Sequence, residues 1–311
     1  MVKQKNKKSI NTFERNKLLF VWGWLAVPIV AWLIFYWYVN FSSMIGAFQD
    51  YNGNWSMVNF KDVWESIFNP PPELGRDSLS VAFGNTLLYF LVEIFVKYPI
   101  QLIVCYFLYK QIWGYKVYRY IFYLPAIISA VALVNVYRAF IAPAGPLSEI
   151  VALFGVELPP LLQQAETVTG AIMGYVVWTC VCGHMLLLCG AMNRIPIEVM
   201  EAARLDGIGP LREFINIILP LIWPTLSTLL ILTCTGFLNS SGPLLLFDVD
   251  TYSMGTTTIS YWIFQKVYMN GTLNSTNYNL VSAAGLLLTL VAVPIILGIR
   301  KLLDFVPSVE Y

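Results

Sequence analysis

Apolar runs of twenty or more residues recur along the chain, separated by shorter polar stretches, and each is long enough to cross a bilayer as a helix. The pattern predicts spans at residues 18–39, 81–109, 120–140, 168–188, 215–238 and 280–299. Residues 1–17 precede the first as a basic lead, the spanning domain covers 18–301, and 302–311 form a tail. Trp22, Trp24, Trp37 and Tyr38 sit near the ends of the first run, where aromatic side chains anchor at the interface. Pro125 is expected to kink the third span, and a short helix is expected from Pro146 to Phe154 in the loop that follows. The fold class is all-α, with six transmembrane helices.

Charge sets the orientation of those runs. Lys3, Lys5, Lys7, Lys8, Arg15 and Lys17 precede the first span, Lys110, Lys116 and Arg119 separate the second from the third, and Arg194, Arg204 and Arg212 separate the fourth from the fifth. Arg300 and Lys301 follow the sixth. The opposite loops carry only Lys61, Arg76 and Lys266. By the positive-inside rule both termini and the loop at 193–214 are expected to be cytoplasmic, with 40–78, 141–166 and 239–278 outside. The basic start runs into a segment long enough to span, so a retained anchor is expected rather than a cleaved signal.

Composition agrees with this class and removes others. With 58% hydrophobic and 12% charged residues and a mean hydropathy of +0.65, the chain is far from soluble balance. A net charge of +1 gives no reason to expect nucleic acid. Cys105, Cys180, Cys182, Cys189 and Cys234 all lie in apolar stretches and are read as packing residues. A single histidine, His184, makes no metal site and is expected to be a buried, neutral, hydrogen-bonded group. A membrane-embedded enzyme would need convergent nucleophile, base or metal ligands, and none is visible.

The polar island between the fourth and fifth spans is the most structured of the loops. Pro196 suits a helix start, Glu198 and Arg204 complement the helix dipole, Gly207 suits a helix end, and Pro210 can begin another helix. The expected result is a helix, a glycine turn and a second helix, with Ala202 and Ala203 giving a small face and Glu201 a charge at its edge.

Glu201, Ala202, Ala203, Asp206, Gly207, Phe214, Leu219, Pro220 and Pro224, preceded by Ile195 and Pro196, form a spaced set. This set resembles the EAA loop of the inner-membrane permease subunits of binding-protein-dependent ABC importers, in the carbohydrate-type branch that includes maltose and glycerol-phosphate permeases. Ile208 departs from the small residue usual after the glycine. The resemblance implies the six-span type I importer permease fold of a bacterial plasma membrane protein. Glu201, Ala202, Ala203, Asp206 and Gly207 would then form a coupling helix seated in a cleft of an ATPase subunit. It implies a sugar or oligosaccharide cargo delivered by an extracytoplasmic binding protein, a second and different permease subunit, and two ATPase subunits holding ATP and magnesium. The chain has no Gly-rich phosphate loop ending in Gly-Lys-Ser or Gly-Lys-Thr, so no cofactor and no catalysis are expected of the permease itself.

Polar and aromatic side chains within spans are pathway candidates. Tyr175, Trp178 and Thr179 on the fourth span offer a stacking face and a hydroxyl, and Phe237, Asn239, Ser240 and Ser241 at the outer end of the fifth add hydrogen-bonding groups. Sugars suit such a surface, since their C–H faces pack on rings and their hydroxyls need aimed partners; the resemblance places maltose contacts on the same two helices. Trp178 reads equally as an ordinary packed aromatic. Glu93 and Lys97, four apart, are expected to pair across one helical turn. Read instead as a proton relay, they would support an ion-coupled secondary transporter of a small polar solute, which leaves the loop at Glu201 without a role.

Overall fold

The computed structural model describes residues 12–50, 52–69, 78–239, 243–247, 255–269 and 275–305. Apart from an isolated antiparallel bridge between Gln49 and Trp55, those residues are helical or irregular. In chain order the helices are α1 Arg15–Ala47, α2 Val58–Phe68, α3 Leu79–Tyr109, α4 Tyr115–Ile127, α5 Ala130–Phe140 and α6 Pro146–Ala152. They continue as α7 Val168–Trp178, α8 Met185–Met192, α9 Ile197–Leu205, α10 Pro210–Gly236, α11 Leu244–Phe247, α12 Ile259–Phe264 and α13 Ser275–Asp304. Among the described residues α1, α3, α10 and the Tyr278–Asp304 part of α13 are long and apolar enough to cross a membrane, and the bent α4–α5 pair makes a fifth candidate.

The chain divides into two compact units, residues 1–61 with 274–286 and residues 62–273 with 287–311. In the first, α1 continues beyond the expected end at Val39 as far as Ala47, because nothing in Val39-Asn40-Phe41-Ser42-Ser43 stops a helix and Asn40 bonds back to the Tyr36 carbonyl. The turn after it is pinned by amides: Asn59 Nδ2 donates to the carbonyls of Ala47 at 3.1 Å and Gln49 at 2.8 Å, and Asn279 Nδ2 donates to Gln49 at 2.9 Å. The large apolar side chains along α1 are exposed, a helix surface written for contact with lipid or protein.

The second unit has one core where α3, α8 and α10 meet, around Tyr98, Cys105, Leu108, Met185, Leu188, Met192, Ile218, Ile222 and Leu226. Another core joins α3, α5, α7 and α11 through Tyr89, Val134, Ile172, Tyr175 and Phe247. Trp223 Nε1 donates to the Leu303 carbonyl at 3.2 Å, tying α10 to the end of α13.

Two of the expected crossings are interrupted. Pro125 lies inside α4, but the bend of 108° falls three residues later, where Ile128 and Ser129 adopt extended backbone before α5 begins. The fourth apolar run, expected as one helix over 168–188, is α7 and α8 joined by a tight turn at Cys180–Cys182. A break at membrane depth frees backbone groups that need partners. Here Gln101, buried on α3, donates its amide to the Cys180 carbonyl, and Cys105 Sγ reaches the Met185 carbonyl at 3.8 Å. Prolines relax two other helices by a different route. The π-helical turns Glu93–Lys97 and Phe214–Ile218 each lie just ahead of a proline, Pro99 and Pro220, that cannot donate the next helical bond.

Candidate functional site

The connector between α8 and α10 is a helix, turn and helix. Pro196 has extended backbone (ψ 137°) and starts α9; Asp206 ends it, and Gly207 follows with φ of +68°. Ile208 N–H then donates to the Ala203 carbonyl at 3.2 Å and Gly207 N–H to the Arg204 carbonyl at 3.1 Å, the paired bonds of a Schellman ending. That motif takes an apolar residue after the glycine, which is the position of Ile208. A side chain at Gly207 would meet nothing within 4 Å, so the glycine is required by its backbone angle and not by space.

Only one side of α9 packs on the chain's own body. Met200 and Ala203 are buried, whereas Glu201, Ala202, Arg204, Asp206 and Gly207 are exposed. The two alanines therefore serve different faces: Ala203 allows α9 to lie close to the helices beneath it, and Ala202 and Glu201 look outward. Three apolar side chains also point out from this polar connector, Ile197, Leu205 at 89% exposure and Leu211. Exposed large apolar residues gathered on one loop mark a surface that another protein can cover.

The second helix of the connector is fixed to α3. Glu213, 4% exposed, receives both carboxylate contacts from Lys110 Nζ at 2.9 and 3.0 Å. Tyr106 Oη donates to the Pro210 carbonyl at 3.1 Å and lies 3.3 Å from Glu213 Oε1, and its ring lies 5.1 Å from that of Phe214. Sequence reasoning counted Lys110 as a loop charge and missed Glu213. The available signal was an acidic residue next to a long apolar run, which needs a cation once buried.

The pathway candidates fall into two places. Tyr175, 7% exposed, packs edge-on against Tyr137 and Phe247 at 5.4 and 5.3 Å. Trp178, 49% exposed, stacks on Tyr137 at 5.8 Å, and Thr179 Oγ1 donates to its own helix at the Tyr175 carbonyl. Trp178 and Thr179 line a largely apolar cavity of about 370 Å³ with Pro125, Leu133 and Cys182. Phe237 lies elsewhere, against Phe90 at 4.7 Å, on a cavity of about 310 Å³ that also holds Glu93 and Lys97. Those two form the expected ion pair on α3. Asn239 ends the short turn Phe237–Asn239; Ser240 and Ser241 lie outside the described residues. His184, half-buried, stacks its ring on Tyr98 at 5.4 Å, and its Nδ1 has no hydrogen-bond partner among the described residues.

No family model matches the chain. Its fold is that of solved importers: it aligns with a chain of a bacterial ABC transporter involved in the import of the acidic polysaccharide alginate, TM-score 0.79 and 18% identity over 96% of this chain and 99% of that one. A second structure, a bacterial alginate ABC transporter in complex with an alginate pentasaccharide-bound periplasmic protein, gives TM-score 0.71 and 21% identity over 93% and 94%. Among curated proteins it is 23% identical to the multiple sugar-binding transport system permease protein of Streptococcus mutans, over 93% of this chain and 96% of the relative. Along most of its length it is similar to the permease subunits of ABC importers. An sn-glycerol-3-phosphate transport system permease protein of Yersinia enterocolitica is 28% identical over 52% of this chain and 55% of its own length. A polygalacturonan/rhamnogalacturonan permease of Bacillus subtilis is 23% identical over 74% and 71%. The chain is accordingly a multi-pass membrane protein.

Proposed function

We propose that this permease is one membrane subunit of an ATP-driven importer that takes up a sugar or oligosaccharide handed over by an extracytoplasmic binding protein. The observation that carries the reading is α9 itself: a helix held from below by Met200 and Ala203, closed by the Gly207 turn, and presenting Glu201, Ala202, Leu205 and Asp206 outward. That is the form of a peg for the cleft of an ATPase, and α9 is the coupling helix of the EAA loop. The permease supplies no catalysis; hydrolysis of ATP, with magnesium, belongs to two ATPase subunits. Counting α4–α5 and α7–α8 each as one broken crossing gives six spans and puts both termini in the cytoplasm. A second permease subunit completes the pathway, and Trp178, Phe237 and Asn239, with Ser240 and Ser241, are cargo contacts along it.

Uptake of labelled saccharides in cells carrying the whole transporter tests this directly. Uptake should stop on ATP depletion and survive a proton uncoupler under maintained ATP. Uptake that follows the proton gradient and ignores ATP would overturn the reading in favour of a secondary transporter.

A further inference from the structure

An open groove lies where the last turns of α3 meet the first turns of α10, beside the Lys110–Glu213 contact. Ile103, Tyr106 and Phe107 form one wall and Pro210, Leu211 and Phe214 the other, around about 300 Å³. Ile103 and Phe107 are half exposed and four residues apart, so they share one face of α3, and Leu211 is exposed. Lys110 ends α3, and a lysine at the end of a spanning helix marks the membrane surface. Ile103 precedes it by seven residues, about 10 Å along the helix, so the groove runs from that surface down to the depth of the acyl chains. Of the six side chains only that of Tyr106 carries a polar atom. Its hydroxyl is already engaged, by the Pro210 carbonyl at 3.1 Å and by Glu213 Oε1 at 3.3 Å. A polar group entering the groove would lose its water and gain no side-chain partner, so the groove selects an apolar occupant.

We propose that this groove binds one phospholipid of the surrounding leaflet, with an acyl chain lying between α3 and α10 and the phosphate held by Lys110. The site requires only that α3 crosses a bilayer, and so stands apart from the importer reading. Size decides against a protein helix as occupant. At roughly 10 Å across, a single turn of helix outfills about 300 Å³, whereas a polymethylene chain is thin enough to enter. Continuity decides for lipid, because Ile103 and Phe107 extend the series of exposed apolar side chains, Leu88, Leu91 and Phe95, that α3 turns outward along its length. The mouth supplies the headgroup contact. Lys110 follows Tyr106 by four residues and Phe107 by three, which places it on the same face one turn further on. Its ammonium has three protons; Glu213 takes two contacts, at 2.9 and 3.0 Å, and the side chain is a quarter exposed. The third proton is left for a phosphate oxygen. Since Glu213 already balances the charge of Lys110, the phosphate is held by a hydrogen bond and not by net charge, and a zwitterionic headgroup suffices.

The test is photolabelling of the assembled transporter in nanodiscs of phosphatidylethanolamine and phosphatidylglycerol, with a trace of phosphatidylethanolamine carrying a diazirine in its acyl chain. Segments 103–107 and 210–214 should take severalfold more label than the exposed side chains of α1, which sample lipid without a groove. Ile103→Trp fills the groove and should remove most of that excess while the thermal midpoint of the complex stays in place. Leu211→Ser takes away one wall at an exposed position, where folding is little at risk, and should lower the excess as well. A diacylglycerol with the same diazirine chain and no phosphate should label about fivefold less, the effect of one hydrogen bond. A groove closed by another subunit would leave both segments unlabelled, and labelling no higher than on α1 overturns the site. Labelling undiminished in both variants also overturns it, as does equal labelling by the diacylglycerol. Sugar uptake plays no part in this readout, so the lipid site and the importer reading fail separately.

Discussion

The ammonium of Lys110 sits 2.9 and 3.0 Å from the two carboxylate oxygens of Glu213, joining residues 103 positions apart in the chain. The pair fastens the first turn of α10 to the end of α3, so a force applied to the connector is delivered to two spans at once.

Removing either partner leaves the other charge in a largely buried place. Glu213→Gln or Lys110→Met should cost about 1–3 kcal/mol, less than for a fully buried pair because Lys110 is partly open to solvent. The assembled transporter should hydrolyse ATP with reduced sugar uptake. In a double-mutant cycle on thermal stability, the doubly neutral variant should lose less than the two singles together.

The Gly207 turn makes a second expectation. Gly207→Val forces a β-branched residue to φ of +68°, at about 1–2 kcal/mol, and should abolish ATP-driven uptake with the protein still inserted at normal levels. Gly207→Asn should retain much of the uptake, since asparagine tolerates that conformation. Equal loss in both would point to a requirement for the bare surface of glycine in place of its backbone freedom.

Leu205, 89% exposed, gives a third. Leu205→Glu should leave stability within about 0.5 kcal/mol, because the side chain touches little of its own chain. Copurification of the ATPase subunits should fall tenfold or more. Undiminished copurification would separate Leu205 from the docking face.

Tyr175 and Trp178 separate packing from passage. Tyr175→Ala removes a ring locked between Tyr137 and Phe247 and should destabilise by about 3–5 kcal/mol. Trp178→Ala, on a half-exposed side chain, should be milder in stability and should raise the half-saturating sugar concentration for uptake. Unchanged concentration dependence would remove Trp178 from the pathway.

Much of the connector was legible because its chemistry is local. Pro196, Gly207 and Pro210 act on the backbone within one or two residues, and the Glu93–Lys97 pair lies within one helical turn. The clasp at Glu213 and the amide of Gln101 on the Cys180 carbonyl were not legible, since each joins positions about 80 to 100 residues apart and leaves no periodic trace. The interruptions within the third and fourth apolar runs were hidden for the same reason: an apolar run reads as one helix whether or not a distant side chain stands ready to accept its break. The bend after Pro125 was foreseeable in kind, but its place at Ile128 and Ser129 depends on which residues turn extended.

The 27-residue length of α10 has a mechanical consequence. At 1.5 Å per residue it is a rod of about 40 Å, clasped through Glu213 at one end and reaching Gly236 at the other. Displacement put in at the connector end thus arrives at the cavity lined by Gly236 and Phe237 without any relay of side-chain rearrangements. Its delay and attenuation are set by bending stiffness, and the two prolines at 220 and 224 are where that stiffness is lowest. Substitutions there would retune timing between ATP turnover and cargo release without touching either.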